Sequence, residues 1–113
     1  MSEYLGLHVI EFLDEASLRT WLVENHKTSP GIWVRVYKSS SGQPSVTFEE
    51  LLDQGLCFGW SESLRHRGDR LFYLQKFTPR RTRGTRSKRN LEHAKKLIAS
   101  GEMTAAGLAA LNL

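Results

Sequence analysis

Between Lys76 and Asn90 the chain reads Lys-Phe-Thr-Pro-Arg-Arg-Thr-Arg-Gly-Thr-Arg-Ser-Lys-Arg-Asn, seven basic side chains in fifteen residues with no acid. Guanidinium groups fork onto phosphate or carboxylate oxygens through charge-assisted hydrogen bonds, which makes Arg80, Arg81 and Arg83 candidate anion ligands. Thr78, Thr85 and Ser87 add hydroxyl donors, and Gly84 lets backbone approach a ligand. A helix starting near Lys88 would hold Lys88 and Arg89 in its first turn, where cations oppose the macrodipole by about 0.3–1 kcal/mol each. A bound anion reverses that sign, because free N–H groups at a helix start and nearby cations together attract it. The expected ligand set is Thr78, Arg80, Arg81, Ser87, Lys88 and Asn90, with Trp60 and Glu62 on the adjoining wall. The alternative is a solvated basic loop whose arginines pair with acids from the first half of the chain.

A second constellation is Leu56-Cys57-Phe58-Gly59-Trp60-Ser61-Glu62. A lone cysteine near a carboxylate and several cations invites a nucleophile reading, so a small enzyme using Glu62 or Cys57 is one alternative. Amid Leu56, Phe58 and Trp60, however, a cysteine most often acts as a small buried hydrophobe, and that is the favoured reading of the thiol. His8, His26, His66 and His93 offer no i, i+4 ligand pair, and the sequence calls for neither a metal nor a cofactor. Trp60, Phe72, Tyr73 and Phe77 interleave with bases, a composition that also suits a single-stranded nucleic acid stacking over a cationic groove. No RNA-binding signature accompanies them, and a core needs most of those rings.

The net charge of +4 conceals a polarised chain. Residues 65–96 hold twelve of the sixteen Lys/Arg against two acids, whereas residues 1–64 hold four bases and nine acids. This favours a phosphate-bearing or carboxylate-bearing partner at one locus. One cysteine excludes an internal disulfide, and no apolar run resembles a signal peptide or a membrane span, so the cytoplasm is the expected compartment.

The elements that must position these groups follow from periodicity. At 113 residues the chain is expected to form a single domain, residues 1–113. His8–Phe12 reads as a strand, followed by a helix from Asp14 to about His26 that buries Leu18, Trp21 and Leu22. Ile32–Tyr37 alternates, with Ile32, Val34 and Val36 as the better core face. Thr47 and Glu50 fit a capping box for a helix burying Phe48, Leu51, Leu52 and Leu56, in which Gly55 permits close approach to a neighbour. Phe58–Leu64 and Arg70–Phe77 read as an antiparallel hairpin about Arg67-Gly68-Asp69. Ser87 caps a helix with Leu91, Ala94, Leu97 and Ile98 inward, stopped at Ser100-Gly101, and Thr104 caps a last helix, Ala105–Leu111. The expected class is α+β, a small antiparallel sheet packed with about four α-helices.

Cys57-Phe58-Gly59-Trp60, Phe77-Thr78-Pro79-Arg80-Arg81, Ser87-x-x-Asn90 and the run Gly101 to Leu108 together resemble the bacterial YdeI/OmdA-like proteins, often labelled bacteriocin-protection proteins. Trp21-Leu22, Trp33 and Lys38 also fall where that family has them, and the resemblance covers roughly residues 12–111. It implies a small α+β domain akin to the YdhG-like proteins, with a role in stress or in resistance to bacteriocins and antimicrobial peptides. Where the family usually has Ile-Asp after Gly-Trp, this chain has Ser61-Glu62, and Arg86 stands for a usual tryptophan. Gly84 and Thr82 likewise replace a usual serine and a usual proline. The resemblance therefore implies a site with one ring lost and one charge gained.

Overall fold

The computed structural model describes residues 2–80 and 87–113. Arg81, together with Thr82, Arg83, Gly84, Thr85 and Arg86, lies outside the described residues. In chain order the elements are β1 (Ser2–Tyr4), β2 (Leu7–Glu11), α1 (Glu15–Asn25), β3 (Ile32–Tyr37), α2 (Phe48–Phe58), β4 (Trp60–Arg67), β5 (Phe72–Pro79), α3 (Lys88–Ser100) and α4 (Ala105–Leu111). Each helix begins where a short polar side chain captures an otherwise free amide. Asp14 accepts from the Ser17 amide at 2.9 Å while its own amide donates to Ser17 Oγ at 3.3 Å. Thr47 and Glu50 form the expected reciprocal box, and Ser87 and Thr104 cap α3 and α4. Such caps stabilise by about 1 kcal/mol each.

The strands form one sheet in the order β1-β2-β3-β5-β4. Three of its pairings are antiparallel, and β2 with β3 is parallel, the pair that α1 connects as a crossover. The architecture is α+β. The sheet is mixed where an antiparallel one was expected, because the α1 crossover brings the chain back to run alongside β2, and two further features lie beyond the sequence expectation. β1 has three residues, too few to show a period, and α2 continues to Phe58, so the hairpin strand starts at Trp60. The turn between β4 and β5 is held by Asp69, whose Oδ1 accepts from the Leu71 and Phe72 amides at 2.7 and 3.3 Å. A register shift between Glu62 and Arg65 bulges β4, and the buried Gln75 side chain fills the gap by donating to the Leu64 carbonyl at 2.9 Å.

The helices share one face of the sheet. Leu18 and Leu22 of α1, Leu51 and Leu56 of α2, Leu97 of α3 and Leu111 of α4 meet Ile32, Val34, Val36, Trp60 and Phe77 in one core. Gly55 makes this possible for α2, since a Cβ there would stand 2.9 Å from the Trp60 carbonyl oxygen. Ile98, expected inward, is 46% exposed, because α3 packs through Ala94 and Leu97 and Ile98 falls beside that narrow contact stripe. Among the described residues no helix is long and apolar enough to cross a membrane.

The other face carries no helix in that core, yet Trp33 on it is 1% exposed. Tyr4 and His66 explain this. They come from β1 and β4, the two edges of the sheet, but the Tyr4 hydroxyl and His66 Nδ1 lie 3.0 Å apart. Both rings pack on Trp33, with centroids at 5.1 and 4.8 Å. The sheet is therefore curled until its edges meet over Trp33, and this outer face is concave.

Candidate functional site on two faces of the sheet

Alternation along β4 and β5 separates the expected ligands. Along β4, Glu62 turns toward the helices, while Ser61 and Ser63 turn to the concave face; along β5, Phe77 is core, while Lys76 and Thr78 are outer. The result is two clefts.

The outer cleft, about 700 Å³, opens at the end of the concave face. Its polar wall is Ser61, Ser63, Lys76, Thr78 and Arg80, with no carboxylate among the described lining residues. Leu5, Leu7, Leu64, Pro30 and Pro79 complete it. Pro30 comes close because the next residue is Gly31, whose φ of 133° and 2.5 Å Cβ-to-Thr78 Cγ2 approach exclude a side chain. Arg80 is fixed to the sheet end by its amide, which donates to the Gly59 carbonyl at 2.9 Å. Buried side-chain polar atoms without a partner among the described residues are Trp33 Nε1, Arg35 Nε and Arg80 Nε. All three are donors. Trp33 and Arg35 alternate on the concave strand face, and Arg80 lines its cleft.

The inner cleft, about 620 Å³, lies among α2, β4 and the start of α3. Glu62, Ser87, Arg89, Asn90 and His93 line it together with Phe48, Glu49 and Leu52. Burial pushes the Glu62 carboxyl above its ordinary range, against the opposing pull of its backbone hydrogen bond and of the Arg80 charge. His93 Nε2 is bonded to the Asp53 carboxylate, which ties α3 to α2 and fixes the imidazole ring. Sequence reasoning set His93 aside because it looked for metal spacing; a His on one helix and an Asp on another carry no mutual signal in sequence. Among the described residues no group of three or more His, Cys, Asp or Glu is placed to hold a metal ion.

The structure thus sends Thr78 and Arg80 to the outer cleft and Glu62, Ser87 and Asn90 to the inner one. Lys88 is exposed in the first turn of α3 and lines neither. Trp60, expected on a ligand wall, is a core residue: it is 1% exposed, its ring is flanked by Trp21 and Phe77, and its Nε1 donates to the His26 carbonyl at 3.4 Å. Its partner position is Pro79 at the mouth of the hairpin, and the aromatic ring points the other way, under the helices. Cys57 is fully buried, and burial pushes its thiol up to about 11. A thiol so placed is protonated at neutral pH and out of reach of a substrate.

A family model for a domain of unknown function, DUF8412, matches residues 10–110. The chain belongs to the DUF8412 family. No curated protein and no solved structure matches it. The DUF8412 match begins within β2 and ends within α4, so it takes in both clefts apart from Leu5 and Leu7 at the outer mouth.

Proposed function

We propose that this domain binds an anionic small molecule, bearing a phosphate or carboxylate, in the outer cleft. The observation that carries the reading is the excess of donors lining the outer cleft. In the cleft itself the buried Arg80 Nε–H lacks an acceptor among the described residues, and such a group costs about 1–3 kcal/mol if left unmade. Lys76 and Arg80 carry positive charge there, and Ser61, Ser63 and Thr78 add hydroxyls, with no carboxylate among the described lining residues. An acceptor-rich anion satisfies this set; a cation or a neutral apolar molecule does not. The cytoplasmic setting follows the sequence expectation, and the link to stress or bacteriocin resistance rests on the YdeI/OmdA resemblance.

The test is an NMR amide titration with inorganic phosphate and, separately, a short single-stranded oligonucleotide at moderate salt. Saturable shifts at Ser61, Ser63, Lys76, Thr78 and Arg80 are expected with phosphate. Shifts spread over every surface cation and erased by salt would mean a nonspecific basic surface. Tight binding of the oligonucleotide alone would favour the nucleic-acid reading.

A second reading has its own observation. A half-buried carboxyl with a raised pKa, facing a cleft with a histidine oriented by an aspartate, is an arrangement for general acid–base chemistry. Glu62 would donate the proton and His93 would accept one. Carboxyl and imidazole NMR titrations test it, and an ordinary pKa for Glu62 would sink it.

A further inference from the structure

The polar wall of the outer cleft is one half of its surface; the other half is apolar, and the fold maintains it at a cost. Leu5 stands in the two-residue turn between β1 and β2 with φ of 48°, followed by Gly6 at 84°. Both central positions of such a turn have positive φ, which is why asparagine, aspartate and glycine dominate them. A leucine there strains its backbone, and this one also leaves 70% of its surface in water. Neither term helps the folded state. Across the cleft, Leu64 sits in the irregular stretch of β4 between Glu62 and Arg65 and is 50% exposed. Two irregularities of the sheet, a tight turn on one edge and a bulge on the other, thus turn leucines into one opening, with Leu7 behind them. Lys76 and Arg80 lie on the same opening.

We infer that the ligand is an amphiphilic anion: a carboxylate or phosphate monoester joined to a single apolar chain, bound as one molecule. The inference rests on the anion reading above and adds the apolar half. The head group meets Lys76, Arg80 and the hydroxyls of Ser61 and Thr78, while the tail covers Leu5 and Leu64. A bare phosphate satisfies the donors but leaves the leucines wet. Each methylene brought against them contributes roughly a four-fold gain in affinity.

The experiment is calorimetric titration of the full chain with inorganic phosphate, acetate, butyrate, hexanoate, octanoate and octylamine. It includes a vesicle arm of phosphatidylcholine with one-fifth phosphatidylglycerol. Affinity is expected to climb stepwise from acetate to octanoate, with octylamine far weaker. The informative variant is Leu5→Asn, because asparagine suits the turn better than leucine and so leaves folding intact. It is expected to lose about ten-fold in octanoate affinity and nothing in phosphate affinity. Affinity that is flat with chain length while phosphate still binds overturns the amphiphile and spares the anion site. No binding of any anion overturns both. Octylamine equal to octanoate, or binding to the vesicles alone, overturns the inference in favour of a plain greasy patch or a membrane surface.

Discussion

The two clefts are built from the same hairpin, and they differ in what they lack. The outer one has donors and no carboxylate; the inner one has a carboxyl that burial disfavours as an anion, a second acid at Glu49 and a histidine bonded to Asp53. Ser61 and Glu62 are neighbours in sequence and lie on opposite sides of a sheet. The basic stretch that reads as one locus is likewise divided: its β5 end, with Lys76, Thr78 and Arg80, lines the outer cleft, and its α3 end, with Ser87, Arg89 and Asn90, lines the inner one.

The contrast is sharpest in how each face is covered. Trp60 lies under helices, whereas Trp33 lies under side chains from the two sheet edges. Trp60→Ala is expected to cost about 3–5 kcal/mol in urea unfolding, since the helices cannot close the cavity. Trp33→Ala is expected to cost at least about 1 kcal/mol less, because Tyr4 and His66 can settle into the space. Equal costs would mean that the concave face is as rigid as the core. Next in size, Lys76→Ala is expected to weaken phosphate binding about ten-fold. Glu62→Gln should leave that affinity within about two-fold, as it removes a charge behind the sheet and no ligand contact. A large loss from Glu62→Gln would merge the two clefts into one site.

Smaller effects separate them further. α3 starts with Lys88 and Arg89 and no acid, although Lys88 lines neither cleft. Lys88→Glu is expected to stabilise the fold by about 0.3–1 kcal/mol without changing phosphate affinity. A loss of phosphate binding instead would restore the first turn of α3 as an anion contact. The last prediction concerns pH. Glu62 is raised in the folded chain, so its neutral form is the stabilised one. That contribution is full below the ordinary glutamate pKa and is lost as pH rises through the folded value. Glu62→Gln should therefore gain on the parent as pH rises above the ordinary glutamate pKa, with the difference vanishing at the acid end. A parallel pair of stability curves would mean that water reaches Glu62 freely.

Much of the fold was legible because local rules decided it. Asp14, Thr47, Ser87 and Thr104 each announce a helix start, and Ile32–Tyr37 alternates with a clear apolar face. The curl of the sheet was not legible. It depends on Tyr4 meeting His66, residues 62 positions apart, through a three-residue strand with no period to read. The candidate site was half legible for a related reason. Residue types flagged Thr78, Arg80, Glu62, Ser87 and Asn90, but assigning them to one cleft required the register of β4 against β5. Leu5 escaped notice because an exposed leucine is ordinary in sequence; it becomes informative only with its positive φ.

The position of β3 has a consequence for how the chain is made. This strand is central, and its second neighbour begins only at Phe72, so one of its edges stays open while residues 38–71 are synthesised. At ribosomal speed that interval is on the order of seconds. Ile-Trp-Val-Arg-Val-Tyr is a segment of high β-propensity, the kind that pairs with copies of itself when an edge is bare. Arg35 is its single charge. In the finished fold that guanidinium lies over Phe72 and bonds Glu11 at 3.1 Å; before β5 arrives, it and Lys38 just after the strand are the charges that oppose pairing between copies.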